Sequence, residues 1–391
     1  MKYLFIQFGN YLCNKDTPNY ILKYNDLVYR KLNHLGFSGW LGMNEIPLWI
    51  PRIAHLLKST ATMNDQYGIA VIDSDNYKES INEIINNYKP TTVVFSRLVC
   101  NSEYIEAAKE IIGDRAKVIV GGYYNNDYTI DKMCDEIGIA NTNGYNYNLL
   151  KDAYVIPRLQ MSTGCLYNCE FCTIQKDINI IDTNDIIKNV NAFDKLKFKL
   201  VYIDDKTFGQ ASNWKLLGLM ADYIEQYNGQ FTGFIVQTSP ILTKDIEFCK
   251  SLANMGVKIV ELGIESGSVD ELKHFRKPFK IDDIYKSIDN LRLCNINIVP
   301  NIILNSPFQR DSDYKSTLDL IENIKHEVLY FNIFNYADYN NNHVSVNTTI
   351  DDQNENTFKK SWIKHNIAAK RIAIIYDIIT EQLNLLKIHK L

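Results

Sequence analysis

No apolar run in the 391 residues approaches the roughly 18 that a membrane span needs, so no membrane partner is expected. Positive charge is not in excess either. The sum of 42 Lys+Arg and 46 Asp+Glu is −4, whereas gripping nucleic-acid phosphates takes clustered cations. Nucleic acid is therefore not an expected partner. The opening MKYLFIQF is short and soon broken by Gln7 and Gly9, so it reads as a first β-strand and not as a signal peptide. A cytoplasmic chain is expected, in which thiols stay reduced and cysteines are read as ligands or core residues before disulfides. Cysteines number 8 and histidines 7, and the histidines show no metal-ligand spacing. Repeats of solenoid period and long low-complexity tracts are absent. The remainder is ordinary globular composition, 46% hydrophobic and 23% charged, with length for two or three domains.

The first 145 residues alternate apolar runs (2–8, 67–73, 91–96 and 116–122) with helical periodicity over 76–88 and 102–112. Continuously apolar strands in β-α-β order imply a parallel sheet covered on both faces, a Rossmann-like (flavodoxin-like) α/β domain. An apolar helix over 47–59 is inserted after the first strand, and the Asn-rich stretch 141–148 reads as a linker. A second alternation follows. Its strands fall near 156–162, 200–204, 231–238, 258–264, 296–304 and 328–334, and its helices near 183–192, 214–227, 244–255, 282–293 and 311–325. Six β/α units over 155–335 fit a partial β/α TIM-type barrel, with chemistry at the carboxyl ends of the strands. Residues 336–391 read as a mainly helical C-terminal extension.

The segment Met161-Ser-Thr-Gly-Cys-Leu-Tyr-Asn-Cys-Glu-Phe-Cys172 places Cys165, Cys169 and Cys172 as CxxxCxxC. The spacing would also fit one face of a helix with small buried residues, but Thr163-Gly164 directly after a strand makes a poor helix interior. Three cysteines at one fixed spacing arise by chance about once in 300 such chains at this cysteine frequency. Three thiolates on one loop suit three corners of a 4Fe-4S cluster and leave one iron open. Structural zinc prefers four protein ligands, and no second cysteine pair accompanies these three. Cys13, Cys100, Cys134, Cys249 and Cys294 are scattered singly.

With Phe171 just before the last cysteine, on the loop after the first barrel strand, the segment resembles the radical S-adenosylmethionine (SAM) superfamily. Val201-Tyr-Ile-Asp-Asp-Lys-Thr-Phe208 and Gln237-Thr238 resemble its second and third strand ends, and Val260-Glu-Leu-Gly-Ile-Glu-Ser-Gly-Ser268 its "GxESGS" fourth. Residues 46–57, 70–73 and 118–123 resemble the N-terminal cobalamin-binding-type domain of one branch, without the DxHxxG motif of many cobalamin enzymes. At residues 304–309 relatives usually read "G-x-P-G-E/Q-T"; here both glycines are missing.

The resemblance implies reductive cleavage of SAM to methionine and a 5′-deoxyadenosyl radical, which abstracts hydrogen from a small-molecule substrate. Electrons would come from a donor such as flavodoxin or ferredoxin. Cys165, Cys169 and Cys172 would bind the cluster, and Phe171 would shield it. Asp204 and Asp205 would meet the methionine ammonium, unless one of them caps the next helix. Glu265 and Ser266 would bond the ribose, Gln237 a sugar or carboxylate, and Arg276 a carboxylate or substrate anion. Gly121 and Gly122 permit close backbone approach of a bulky ligand such as cobalamin, although a tight turn needs the same residues. Tyr123 and residues 10–17 would line that cavity. The expected reaction is cobalamin-dependent methylation. The alternatives are radical rearrangement, oxidation or carbon–carbon bond formation without cobalamin, and a non-catalytic cluster scaffold. A methylthiotransferase acting on transfer RNA fits less well, given the net charge.

Overall fold

The computed structural model describes residues 1–9, 12, 23–24, 26–28, 30, 48–58, 65–98, 101–122, 129–137, 140–142, 144–151, 155–336, 371, 373–376 and 378–380. Two compact units divide the chain. One comprises residues 1–18, 38–157 and 187–198, and the other residues 19–37, 158–186 and 199–391.

The first unit is a parallel sheet of β1 (Lys2–Phe8), β2 (Gln66–Ile72), β3 (Thr92–Arg97) and β4 (Lys117–Gly122), in the order β2-β1-β3-β4. Its helices are α1 (Trp49–Lys58), α2 (Tyr77–Tyr88), α3 (Ser102–Ile112) and α4 (Ile130–Ile137). Alternate residues of β1 point to opposite faces, and both faces are covered. Leu4, Ile6 and Phe8 pack with Ile81, Ile85, Ile105 and Ala108 of α2 and α3, whereas Tyr3 and Phe5 pack with Ile50 and Leu57 of α1. This explains the unbroken apolar runs. Helix α2 stops where Lys89 adopts a left-handed backbone (φ 48°) and returns its N–H to Ile85 O, with Pro90 following.

The second unit is a row of six parallel strands in chain order. They are β5 (Arg158–Leu159), β8 (Leu200–Ile203), β9 (Gly233–Thr238), β10 (Val257–Glu265), β11 (Asn297–Leu304) and β12 (Asn332–Asn335). In sequence between β5 and β8 come a two-stranded antiparallel hairpin, β6 (Ser162–Thr163) and β7 (Asn179–Ile180), and helix α5 (Thr183–Ala192), which from residue 187 onward belongs to the first unit. The later helices are α6 (Leu216–Glu225), α7 (Pro240–Thr243), α8 (Ile246–Asn254), α9 (Val269–His274), α10 (Ile281–Leu293) and α11 (Asp311–Ile324). Among the described residues the row is open between β5 and β12, a partial barrel. The α/β class read from the sequence is the class observed. Two edges differ. The strand expected over 156–162 is split, because Asp205 takes the backbone N–H groups of Met161 and Ser162 out of the ladder. The strand expected from 328 begins at Asn332, because the Tyr24 hydroxyl accepts the backbone N–H of Phe331 (2.9 Å) and donates to its C=O (3.0 Å) ahead of it. Of the expected C-terminal extension, only residues 371–380 and Tyr336 are described in part.

Candidate cluster-binding site

The cysteine loop is held at its base by the β6–β7 hairpin, with Ser162 opposite Ile180 and Thr163 opposite Asn179. Gly164 then turns with φ +85°, and a Cβ there would lie 1.9 Å from Asp177 O, so only glycine fits. Cys165 N–H donates to Gln175 O (2.9 Å), and the Cys165 thiol meets Thr207 Oγ1 at 3.3 Å. Leu166 N–H is taken by Gln210 Oε1 at 3.0 Å. A tight turn returns Cys172 N–H to Cys169 O (3.2 Å), and Glu170 N–H donates to Phe275 O (3.2 Å). Tyr336 beyond β12 hydrogen-bonds Glu170 Oε2 at 2.7 Å and stacks on Phe275, whose ring meets Phe171 edge-on at 5.4 Å. The loop is thus clamped by residues that follow β8, the helix after β10, and β12.

Cys165 is buried, and Cys169 and Cys172 are half-buried. Burial pushes the Cys169 thiol up. Lys277 opposes that rise, while Glu265, Cys172 and Cys165 add to it. Among the described residues no three His, Cys, Asp or Glu side chains close on a single metal position. Cys169 lies within electrostatic range of both Cys165 and Cys172 on one clamped loop, and three thiolates on one loop are a donor set that suits three corners of a 4Fe-4S cluster. Cys134 and Cys249 are buried and Cys294 is half-buried elsewhere; Cys13 and Cys100 lie outside the described residues.

The strand ends place the other expected residues unequally. Asp204 carries a carboxylate at 3.3 Å from Arg158 Nη1 and 3.2 Å from Lys206 Nζ, one-fifth exposed. Asp205 points the other way. Its Oδ1 accepts from Met161 N (2.8 Å) and Ser162 N (3.0 Å), and its Oδ2 from Ser162 Oγ (2.6 Å). Burial raises its pKa, and those hydrogen bonds pull it back. Through both carboxylate oxygens Asp205 anchors the loop. Gln237 is half-buried at the end of β9, and its carbonyl accepts Phe208 N–H at 2.7 Å. Glu265 ends β10 at a bulge, with φ +69°, and its Oε1 lies 2.7 Å from Lys277 Nζ.

Ser266 is fully buried. Its hydroxyl donates to Glu271 Oε2 (2.8 Å), meets Thr317 Oγ1 (3.0 Å) and accepts Ser268 N–H (3.0 Å). It supports the bend through these three bonds. Glu271, fully buried in α9, is the hub of this network. It also accepts Ser306 Oγ (2.7 Å) and Gln309 Nε2 (3.1 and 3.2 Å). The loop at 304–309 is therefore held by Glu271 without the two glycines of the pattern it resembles, and Asn305 takes the left-handed conformation (φ +60°). Arg276 is exposed with φ +56°, and that backbone turn sends the next residue, Lys277, inward. Lys277, Glu271 and the Tyr336–Glu170 pair are not among the residues that the sequence singles out. Lys277 carries one legible signal, a lysine between Phe275 and Phe279.

In the first unit Gly122 has φ +115°, and a Cβ there would meet Arg97 O at 2.3 Å. The close approach that requires this glycine is to β3, while Gly121 pairs with Ser96. Tyr123 and all of residues 10–17 except Leu12 lie outside the described residues. No helix among the described residues is long and apolar enough to cross a membrane.

Residues 159–321 match the sequence model of the Radical SAM superfamily. A protein of Methanocaldococcus jannaschii named as a methylthiotransferase is 26% identical over 179 residues, covering 42% of this chain and 38% of that protein. The chain thus spans well under half the length of that relative. Among solved structures, the radical S-adenosylmethionine methyltransferase TsrM from Kitasatospora setae, with cobalamin and a 4Fe-4S cluster bound, gives a TM-score of 0.57 at 10% identity, over 85% of this chain and 72% of that one. The cobalamin-dependent S-adenosylmethionine radical enzyme OxsB, with aqua-cobalamin and S-adenosylmethionine bound, gives 0.57 at 12% identity, over 85% and 53%. At these identities the likeness is one of fold.

Proposed function

We propose that this chain, whose residues 159–321 form a radical SAM domain, is an enzyme that holds a 4Fe-4S cluster on Cys165, Cys169 and Cys172 and methylates a small molecule with the help of cobalamin. The observation that carries this reading is the CxxxCxxC loop, pinned by Asp205, Thr207, Gln175 and Gln210 at the carboxyl ends of a parallel barrel. A cluster with three protein ligands supplies an open iron for SAM and the electron that cleaves it.

The chain's own residues bind and shield. Phe171 covers the loop from the side of Phe275. Asp204, partly exposed at the end of β8, offers a carboxylate to the methionine ammonium. Glu265 and Gln237, at the ends of β10 and β9, offer acceptors to the cofactor's sugar. For cobalamin, the support is the flavodoxin-like strand order β2-β1-β3-β4, whose switch point lies between β1 and β3, and the likeness in fold to two cobalamin-bound structures. The electron donor is a small one-electron carrier such as flavodoxin or ferredoxin, in the cytoplasm. The methylthiotransferase relative favours a second reading, transfer of a methylthio group.

Anaerobic reconstitution tests the reading. Wild-type protein should take up about four irons per chain with charge-transfer absorbance, and Cys169→Ala should lose both. Cys249→Ala should keep them. With reductant, wild type should release 5′-deoxyadenosine; a loaded protein that releases none is a scaffold and the proposal fails. Copurifying cobalamin, seen by its own spectrum, supports methylation, and its absence together with methylthiolated product establishes the second reading.

A further inference from the structure

Lys277 is the buried cation of the site. Its Nζ lies 2.7 Å from Glu265 Oε1, with the two side chains only 9% and 10% exposed. The ammonium stands 5.2 Å from the ring centroid of Phe171 and 5.9 Å from that of Phe279, and within electrostatic range of the Cys169 sulfur. Its backbone is fixed by the left-handed turn at Arg276 and by donation of its N–H to Leu272 O at 2.9 Å. A buried ion pair is a poor way to stabilise a bend, since an apolar pair of similar volume often does as well without the desolvation cost. The charge itself is therefore the feature to be explained.

We propose that Lys277 is a positioning residue that sets the electron affinity of the cluster, by holding a positive charge against the Cys169 ligand sulfur. The inference rests on the cluster reading above. One electron from an external low-potential carrier adds one negative charge to the cluster, and no bond forms or breaks in that step. A fixed cation beside a ligand sulfur stabilises the reduced state over the oxidised one, and net charge and hydrogen bonding around the sulfurs are known levers on cluster potentials. Glu265 works against Lys277, so removing the lysine both deletes a positive charge and uncovers a negative one.

The test is a mediated dithionite titration of the reconstituted full-length protein, followed by the electron paramagnetic resonance signal of the reduced cluster. At the wild-type midpoint, Lys277→Met should lower the reduced-to-oxidised ratio about tenfold, a downward shift of about 59 mV for one electron. Lys277→Arg, which keeps the charge, should stay within about threefold of wild type. Glu265→Gln should raise the ratio, and it serves as the test should Lys277→Met fail to take up iron. A merely structural ion pair would lower the melting temperature of these variants and leave the ratio unmoved. An unmoved ratio in loaded protein overturns the inference alone, whereas a wild-type chain that takes up no cluster overturns the function reading and this inference with it.

Discussion

Replacing Asp205 with alanine should loosen the cysteine loop without any ligand present. The carboxylate accepts two backbone N–H groups, from Met161 at 2.8 Å and Ser162 at 3.0 Å, and the Ser162 hydroxyl at 2.6 Å. All three residues are buried, with Asp205 at 3%, Ser162 at 4% and Met161 at 0% exposure. The hydroxyl can turn to another acceptor, but the two amides are left without one, at about 1–3 kcal/mol each. The penalty that burial imposes on the carboxylate is relieved at the same time, which leaves a net loss of about 3 kcal/mol. At 1.4 kcal/mol per tenfold, amide exchange in a peptide spanning 158–163 should quicken by about a hundredfold. Hydrogen-exchange mass spectrometry of the apo protein reads this directly. Asp205→Asn keeps an oxygen for the amides and offers its NH2 to Ser162 Oγ, so its loss should stay near 1 kcal/mol. If alanine leaves exchange within about threefold of wild type while SAM binding collapses, Asp205 is a ligand contact and the anchoring argument is wrong.

Three further outcomes follow from the same geometry. The folded carboxyl of Asp205 titrates above its ordinary 3.8 because of burial, so its contribution is full below that value and lost as pH rises through the folded pKa. The urea midpoint of wild type should therefore fall relative to Asp205→Asn over that window, and a constant gap would refute the linkage. Gly164→Ala adds a Cβ 1.9 Å from Asp177 O at φ +85°, which costs at least about 1–2 kcal/mol before the clash is counted. Its reconstituted iron content should drop well below that of Gly113→Ala, where the φ is +49° but no atom lies within 4 Å. Glu271→Ala strands the donors of Ser266, Ser306 and Gln309 and should lower stability by about 3 kcal/mol. In a unit of this size that is roughly 6–12 °C in melting temperature, and a loss under about 2 °C would mean the network is solvated.

Strand and helix positions are legible in this chain because periodicity reports burial, and burial is what the sheets impose. Helices α3 (Ser102–Ile112) and α5 (Thr183–Ala192) coincide with their expected ranges, and strands buried on both faces read as unbroken apolar runs. The cysteine loop is legible because its chemistry lies in consecutive residues. Side-chain direction beyond a strand end is harder to read. Asp204 and Asp205 both follow the last residue of β8, where strand alternation no longer applies, and their different partners, Arg158 and Lys206 for one and Met161 and Ser162 for the other, come from distant residues. Arg276 and Lys277 have no such rule either. They follow a short helix, and the backbone at Arg276 is left-handed, a conformation that a non-glycine residue adopts only when its surroundings impose it. The turn ejects the arginine and buries the lysine beside Glu265. Because Glu265 is also left-handed, at φ +69°, two improbable backbone states on either side of α9 are needed to bring one ammonium to one carboxylate. Neither is encoded locally. Phe275, next to Arg276, packs with Phe171, Ile303 and Tyr336, residues far apart in the chain, so the placement of Lys277 beside Glu265 belongs to the assembled barrel and not to a motif within it.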